Sequence, residues 1–314
     1  WRYTLDALGR YFERALTGWG RAEQGAAQGP AEPLLDLAAR AAEIPADDFE
    51  RLGTYLPTVR LLGERTAELH LALAGGALAA GEGKDFAPEP FSELYQRSLF
   101  DSMRKQASRA FRLLRQKLDA LPLPEREQAN SILAAEEQVV DRFRRLVGNK
   151  VSASRIRTHG DYHLGQVLYT GKDFVIIDFE GEPSRSLSER RLKRSPFRDV
   201  AGMLRSFHYA AYAKLFEESV AGVVSGAEQI AELESWAMYW ERWISAAFLR
   251  AYLDRAQDAS FVPPSRQELE ILLDVYILEK AVYELQYELN NRPTWVGIPL
   301  QGIQQILGAP TGAR

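Results

Sequence analysis

The sequence predicts a mainly α-helical protein interrupted by a single β-hairpin. Three observations lead there. Apolar residues recur at i, i+3/i+4 spacing through most of the chain, the mark of helices with one buried face. Gly75 and Gly76, and Pro122 and Pro124, stand at the ends of such stretches as helix stops and starts. Only around 151–180 does the texture change, to short β-rich runs around a glycine-containing turn.

Taken in order, Leu5, Leu8, Tyr11, Phe12, Ala15 and Leu16 form the apolar stripe of a first helix. The small-residue run GRAEQGAAQGPAEP reads as a linker around Gly25 to Pro33. A second helix is expected from about Asp47 or Phe49 through LGERTAELHLALAGG, stopped by Gly75 and Gly76. GEGKDFAPEP reads as an irregular loop. Two long amphipathic segments, roughly 92–120 and 125–147, are joined by LPLPE, where Pro122 and Pro124 end one helix and start the next as an antiparallel pair. Val167–Tyr169 and Phe174–Ile177 flank the turn Thr170-Gly171-Lys172-Asp173 as a hairpin. The polar, basic run at 184–197 reads as a loop, and from Asp199 onward the chain is helical again, with a last long helix at about 266–289. The stripe of Trp236, Trp240 and Trp243 at helical spacing is expected in the core, and His70 as a hydrogen-bonded core histidine.

Composition narrows the function classes. The 314 residues are 46% hydrophobic and 26% charged with a net charge of -4, enough apolar content for a sizeable core of one large domain or two smaller ones. Disordered, collagen-like and disulfide-scaffold classes are excluded, and the absence of cysteine removes thiol catalysis and Cys-ligated metals. Slight acidity argues against nonspecific nucleic-acid binding. No run approaches the ~20 apolar residues of a membrane span, and the amphipathic start WRYTLDALGRYFERAL lacks a signal-peptide pattern, so a cytoplasmic enzyme without a membrane partner is expected.

The chemistry concentrates in RTHGDYHLGQVLYTGKDFVIIDFEGEP. His159, Asp161 and Gln166 precede the first strand, while Asp178 and Glu180 follow the second. A hairpin brings its two ends together, so these groups are expected to converge. Clustered hard oxygen donors suit Mg²⁺ completed by substrate phosphates, leaving Asp161 to accept a proton from a nucleophilic hydroxyl. Farther on, Tyr283, Tyr287, Glu288, Asn291, Arg292 and Trp295 combine aromatic faces with polar hydrogen-bonding groups, as a sugar pocket requires; packing of the last helix is the alternative.

H-G-D-x-H-x-x-Q followed twelve residues later by D-F-E resembles the catalytic loop and metal motif of aminoglycoside-phosphotransferase-like small-molecule kinases, relatives of protein kinases. RTAELHLALA (65–74), FAPEPF (86–91), KRSPFRDVAGMLRSF (193–207) and KAVYELQYELNNRPTWVGIPL (280–300) extend the resemblance toward bacterial maltokinases, free-standing or fused to trehalose synthase. The resemblance implies a protein-kinase-like C-terminal lobe with a helical insertion: helices over 1–150, catalytic loop and hairpin over 151–183, and a substrate-binding helical region over 184–314. It implies Asp161 as base with His159 bracing the same catalytic loop, and Gln166 and Asp178 as Mg²⁺ ligands. Glu180 is expected at a second metal, with loop support from Asp199 and His163; the plainer reading of Asp199 is a helix N-cap, and both can hold at once. ATP and maltose are the implied substrates, giving maltose 1-phosphate, with trehalose synthase as a possible partner. A kinase for another sugar or aminosugar such as glucosamine, and a non-catalytic helical module using 92–147 for assembly, are the alternatives.

Nothing before residue 150 offers the strands, phosphate loop and lysine of a nucleotide-binding lobe. GGALAAGEGKD departs from a Walker A loop at Leu78 and at Asp85 after Lys84. With Trp1 at the start, such a lobe is expected on a longer chain ahead of this one.

Overall fold

Burying one stripe of each amphipathic helix against its neighbours organises the whole molecule, described here by a computed structural model for residues 1–19, 30–76, 85–182, 186–221 and 226–308. Most of the expected linker, the GEGK portion of the expected loop, and Ser184 and Arg185 fall outside the described residues.

Helix α1 (Arg2–Arg14) buries Leu8, Tyr11 and Phe12, and α2 (Leu34–Arg40) buries Leu35, Leu37 and Ala38. The single helix expected over 47–76 is instead two, α3 (Ala46–Leu52) and α4 (Tyr55–Leu71), because Gly53 turns to φ 64 between them. A wide turn over Ala72–Gly76, with Gly75 at φ 89, follows α4. β1 (Glu89–Pro90) lies within the stretch expected to be irregular and pairs with β2 (Ser154–Arg155).

Ser92 caps α5 (Glu93–Lys117), its Oγ accepting from Tyr95 N–H. The return segment is broken at Ala135 into α6 (Leu123–Ala134) and α7 (Glu136–Gly148). The 184–197 run contains one turn of helix, α8 (Leu187–Arg190), held by a Ser186/Glu189 capping box.

Three long helices complete the body: α9 (Phe197–Val220), α10 (Ala227–Ala256) and α11 (Arg266–Asn291), with α12 (Gly297–Gly308) packed on α11. α10 packs against α4. The contact is close because Gly63 has no side chain: a Cβ there would overlap the Phe248 carbonyl oxygen. Trp236, Trp240 and Trp243 are all buried in this core, as their spacing predicted. Truncating one of them to Ala would cost about 3–5 kcal/mol. Strands β3 (Val167–Tyr169) and β4 (Phe174–Ile176) form the expected hairpin, with Val167 opposite Ile176 and Tyr169 opposite Phe174.

Candidate active site

The hairpin register decides what meets at its open end. With Val167 opposite Ile176, the ladder continues outward: Ile177 N–H donates to the Gln166 carbonyl (3.0 Å). One residue farther, the Gln166 side-chain amide donates to Asp178 Oδ2 (2.8 Å). The two side chains therefore meet through the amide N–H, not through oxygens turned to a common centre. Asp178 has φ 63, the single non-glycine residue at positive φ among those described. Such a conformation costs an L-residue about 1–2 kcal/mol, and strain of this kind gathers at functional sites. At the closed end, Arg65 Nε donates to Asp173 Oδ1 (2.8 Å), tying the hairpin tip to α4.

The loop before the hairpin is pinned from behind. Asp199 is 1% exposed and accepts from the backbone N–H of His159 (2.7 Å, Oδ2) and of Gly160 (3.0 Å, Oδ1), and from His70 Nε2 (3.1 Å, Oδ2). Burial alone would push its carboxyl up, but the bond from His70, the nearby imidazoles and the Gly160 amide hold it below the usual carboxylate range. Asp199 is the third residue of α9 and Pro196 the capping position, so the N-cap alternative does not hold. Its carboxylate serves the loop instead of its own helix. His70 is fully buried and bonded at both ring nitrogens, to Asp199 and Tyr252.

His159 is buried and spends both ring nitrogens on backbone: Nε2 with the Ile177 carbonyl (2.8 Å) and Nδ1 with Asp161 N–H (3.4 Å). Both bonds brace the loop against the strand exit. Gly160 (φ 88) and Gly181 (φ 75) let the loop and the chain after the hairpin touch, since a Cβ on Gly160 would stand 3.4 Å from Gly181 Cα. Asp161 and Asp178 thus lie on two segments in direct contact. On the other side, α9 approaches so closely at Gly202 that a Cβ would overlap the Tyr162 carbonyl oxygen.

Asp161 sits in this frame with its side chain 18% exposed, His163 Nε2 at 3.8 Å from Oδ2 and Lys280 Nζ at 3.7 Å from Oδ1. His163 Nδ1 accepts from Gly165 N–H, which leaves its Nε2 proton facing Asp161. Burial holds the His163 imidazole below its ordinary range; Asp161 opposes that shift and Lys280 reinforces it. Glu180 is exposed beyond Asp178.

Lys280 and Glu182 are additions that sequence reasoning missed. Lys280 lies over the Tyr283 ring, and Tyr283 donates to Glu182 Oε1 (3.1 Å). The signal was available, since Lys280 is three residues before Tyr283 on one helix face.

The residues expected around a sugar divide. Tyr283 and Tyr287 stack at 6.5 Å between centroids along the α11 face that carries Lys280. Glu288 requires correction as a direct ligand: it is 1% exposed and accepts from Tyr209 and Arg292. Arg292 lies over the rings of Tyr209, Tyr287 and Trp295, Trp295 stacks on Tyr209, and Asn291 bonds the Tyr287 carbonyl at the helix end.

The profile of the phosphotransferase enzyme family (APH) matches residues 35–181, the span ending on this loop and hairpin. A glucosamine kinase of Mycolicibacterium smegmatis is 25% identical over 189 residues, 58% of this chain and 42% of that protein. One of Streptacidiphilus jiangxiensis is 24% identical over 157 residues, 48% and 32% respectively. The chain therefore spans less than half the length of these curated relatives. Among solved structures, glucosamine kinase in complex with glucosamine, ADP and inorganic phosphate superposes with a TM-score of 0.60 at 22% identity, covering 86% of this chain and 55% of that one. A second glucosamine kinase crystal form gives 0.61 at 22% identity, covering 87% and 57%. The chain has the mainly α, APH-like kinase fold of the glucosamine kinase structures.

Proposed function

We propose that this chain supplies the acceptor-activating lobe of an ATP-dependent sugar kinase. The observation that carries the reading is the placement of Asp161 on a loop pinned by Asp199, in contact with the segment that presents Asp178 beside Gln166. Asp161 orients the acceptor hydroxyl and takes its proton as the oxygen attacks the γ-phosphorus. The bond from that phosphorus to the bridging oxygen breaks, and ADP leaves. Lys280 beside Asp161 gives the loop a cation on the acceptor side.

The donor chemistry here fits a divalent cation of the Mg²⁺ type. Among the described residues no group of three or more His, Asp or Glu forms an all-protein cage. Mg²⁺ is usually held by one or two carboxylates plus substrate phosphates. Asp178 and Gln166 would hold it, with Glu180 alongside, and it would supply charge neutralisation on the phosphates. The paired Leu168 and Val175, 53% and 49% exposed on the outer hairpin face, offer an apolar surface beside these residues for a nucleobase.

An aminosugar such as glucosamine is the acceptor the comparisons support best, because the relatives and structures reported above are glucosamine kinases. The acidic Glu182 beside Tyr283 is compatible with a cationic acceptor. Maltose is the second reading, favoured by the maltokinase-like stretches at 65–74, 86–91, 193–207 and 280–300 and by the stacked Tyr283/Tyr287 face. That reading carries with it a cytoplasmic place in α-glucan metabolism and an association with trehalose synthase. Coupled ADP release by the complete natural protein, with glucosamine, glucose, maltose and trehalose offered in parallel, tests both. Turnover with none of these sugars overturns the proposal.

A further inference from the structure

The loop that carries Asp161 is held by a chain of buried hydrogen bonds reaching a third helix. Tyr252 on α10 is fully buried, and among the described residues its hydroxyl makes one hydrogen bond, to His70 Nδ1 (2.9 Å). His70 on α4 is fully buried and meets Asp199 Oδ2 with Nε2 (3.1 Å). Asp199 in turn accepts from the His159 and Gly160 amides, immediately before Asp161. The Tyr252 ring packs edge-on against Phe197 and against the His70 ring, and Phe261 covers the other approach to His70. No water or second polar group is needed to satisfy the chain.

Donor and acceptor bookkeeping fixes where the protons lie. An ionised Asp199 only accepts, so His70 Nε2 carries a proton toward it. Burial pushes the Tyr252 hydroxyl well above its ordinary range, so it keeps its proton. If that proton points to Nδ1, every donor in the chain is used. If instead Nδ1 were also protonated, the Tyr252 oxygen would accept and its hydroxyl proton would face aromatic carbon with no partner, which costs about 1–3 kcal/mol. The arrangement with all bonds made is Tyr252 O–H to His70 Nδ1, then His70 Nε2–H to Asp199.

We infer that Tyr252 is a positioning residue for phosphoryl transfer: its hydroxyl, donating to Nδ1, fixes the orientation of the His70 ring, and the Nε2–H so aimed holds Asp199 and the Asp161 loop in register. The kinetic half of this inference rests on the proposed kinase reading; the positioning half does not. Without the hydroxyl, Nε2 keeps its proton for the ionised Asp199, but Nδ1 becomes a buried acceptor with no donor and the ring is held by one bond instead of two. The ring tilts, Asp199 shifts, and the two amides before Asp161 shift with it. A displacement well under an ångström at the base is enough, because misplacement of about 1 Å costs roughly a hundredfold in rate.

The test compares Tyr252→Phe with Tyr276→Phe in the complete natural protein. Tyr276 on α11 is equally buried, but among the described residues its hydroxyl has no hydrogen-bond partner, so its loss controls for deleting a buried oxygen as such. Nitrogen-15 shifts of the His70 imidazole read the bond at Nδ1, exchange of the Gly160 amide reads the anchor, and steady-state kinetics read the consequence. The expected result for Tyr252→Phe is an Nδ1 resonance moved toward that of an unbonded ring nitrogen with Nε2 still protonated, faster Gly160 exchange and a kcat lowered about tenfold to a hundredfold with KM within twofold. Tyr276→Phe is expected to match wild type in all three. An unchanged Gly160 exchange rate in Tyr252→Phe, an unchanged kcat, or an equal loss in Tyr276→Phe would overturn the inference. Should the wild-type protein phosphorylate no sugar, the kinase reading fails, while the imidazole shifts and Gly160 exchange still decide whether Tyr252 positions His70 and Asp199.

Discussion

Replacing Asp199 with Asn isolates the anchor of the Asp161 loop, because the two side chains have nearly the same shape. The native carboxylate meets three donors: Oδ1 takes Gly160 N–H at 3.0 Å, and Oδ2 takes His159 N–H at 2.7 Å and His70 Nε2–H at 3.1 Å. An amide offers one oxygen and one NH₂. Its better orientation keeps the oxygen on the His159 and His70 side and sets the NH₂ against the Gly160 N–H, leaving that donor buried and unpaired. Loss of a charge-assisted bond costs about 1.5–3 kcal/mol and a stranded donor about 1–3 kcal/mol, two descriptions that overlap. We therefore expect Asn to destabilise by about 2–4 kcal/mol in urea denaturation at pH 7. The sign of the pH dependence follows from the same contacts. The folded carboxyl titrates below its unfolded value of 3.8, so its contribution is fully present above that pH and disappears as pH falls through the lower folded value. The gap between wild type and Asp199→Asn should therefore shrink below pH 3.8. A destabilisation under about 0.5 kcal/mol, the range of ordinary surface changes, would refute the anchor.

Other perturbations test neighbouring links. Asp178→Asn should raise the Mg²⁺ concentration needed for half-maximal turnover at least about tenfold, measured by metal titration of ADP release. Gly202→Ala puts a methyl group into the Tyr162 carbonyl, so we expect a loss of about 1–3 kcal/mol in stability and a larger proportional loss of kcat, compared by denaturation and kinetics on one sample. His208 is held well below 6.5 by burial first and by Arg205 second, against a smaller opposing bond to Gln305. Its folded value lies below its unfolded one, so stability should fall as pH drops beneath 6.5, and His208→Gln should flatten that slope in melting experiments.

How much of this was legible in the sequence depends on the range of the interaction. The hairpin could be read because two β-rich runs flank a short turn, and its register then dictates that Gln166 meets Asp178. The long helices at 197–220 and 266–291 follow from periodicity alone. Breaks were harder: Gly53 splits one expected helix by adopting positive φ, and Ala135 splits another although alanine carries no breaking signal. The S-x-x-E at 186–189 was a readable capping box, hidden because the surrounding charge suggested a loop. Lys280 escaped notice because a lone lysine has meaning only once α11 is laid beside the loop. Glu288 illustrates the opposite error. It follows Tyr287 directly, so it projects about 100° around the helix, toward half-buried Tyr209 and away from the Tyr283 face.

Phosphoryl transfer by the complete natural protein, with and without the Asp161 carboxylate, bears most directly on the whole account. With saturating ATP and Mg²⁺, wild type should release ADP and form a phosphorylated sugar, glucosamine being the favoured acceptor. Asp161→Asn should lower kcat by about 10²–10⁴ while leaving the fold and nucleotide affinity intact. Sugar phosphorylation persisting within a few-fold of wild type in that variant would contradict the central claim.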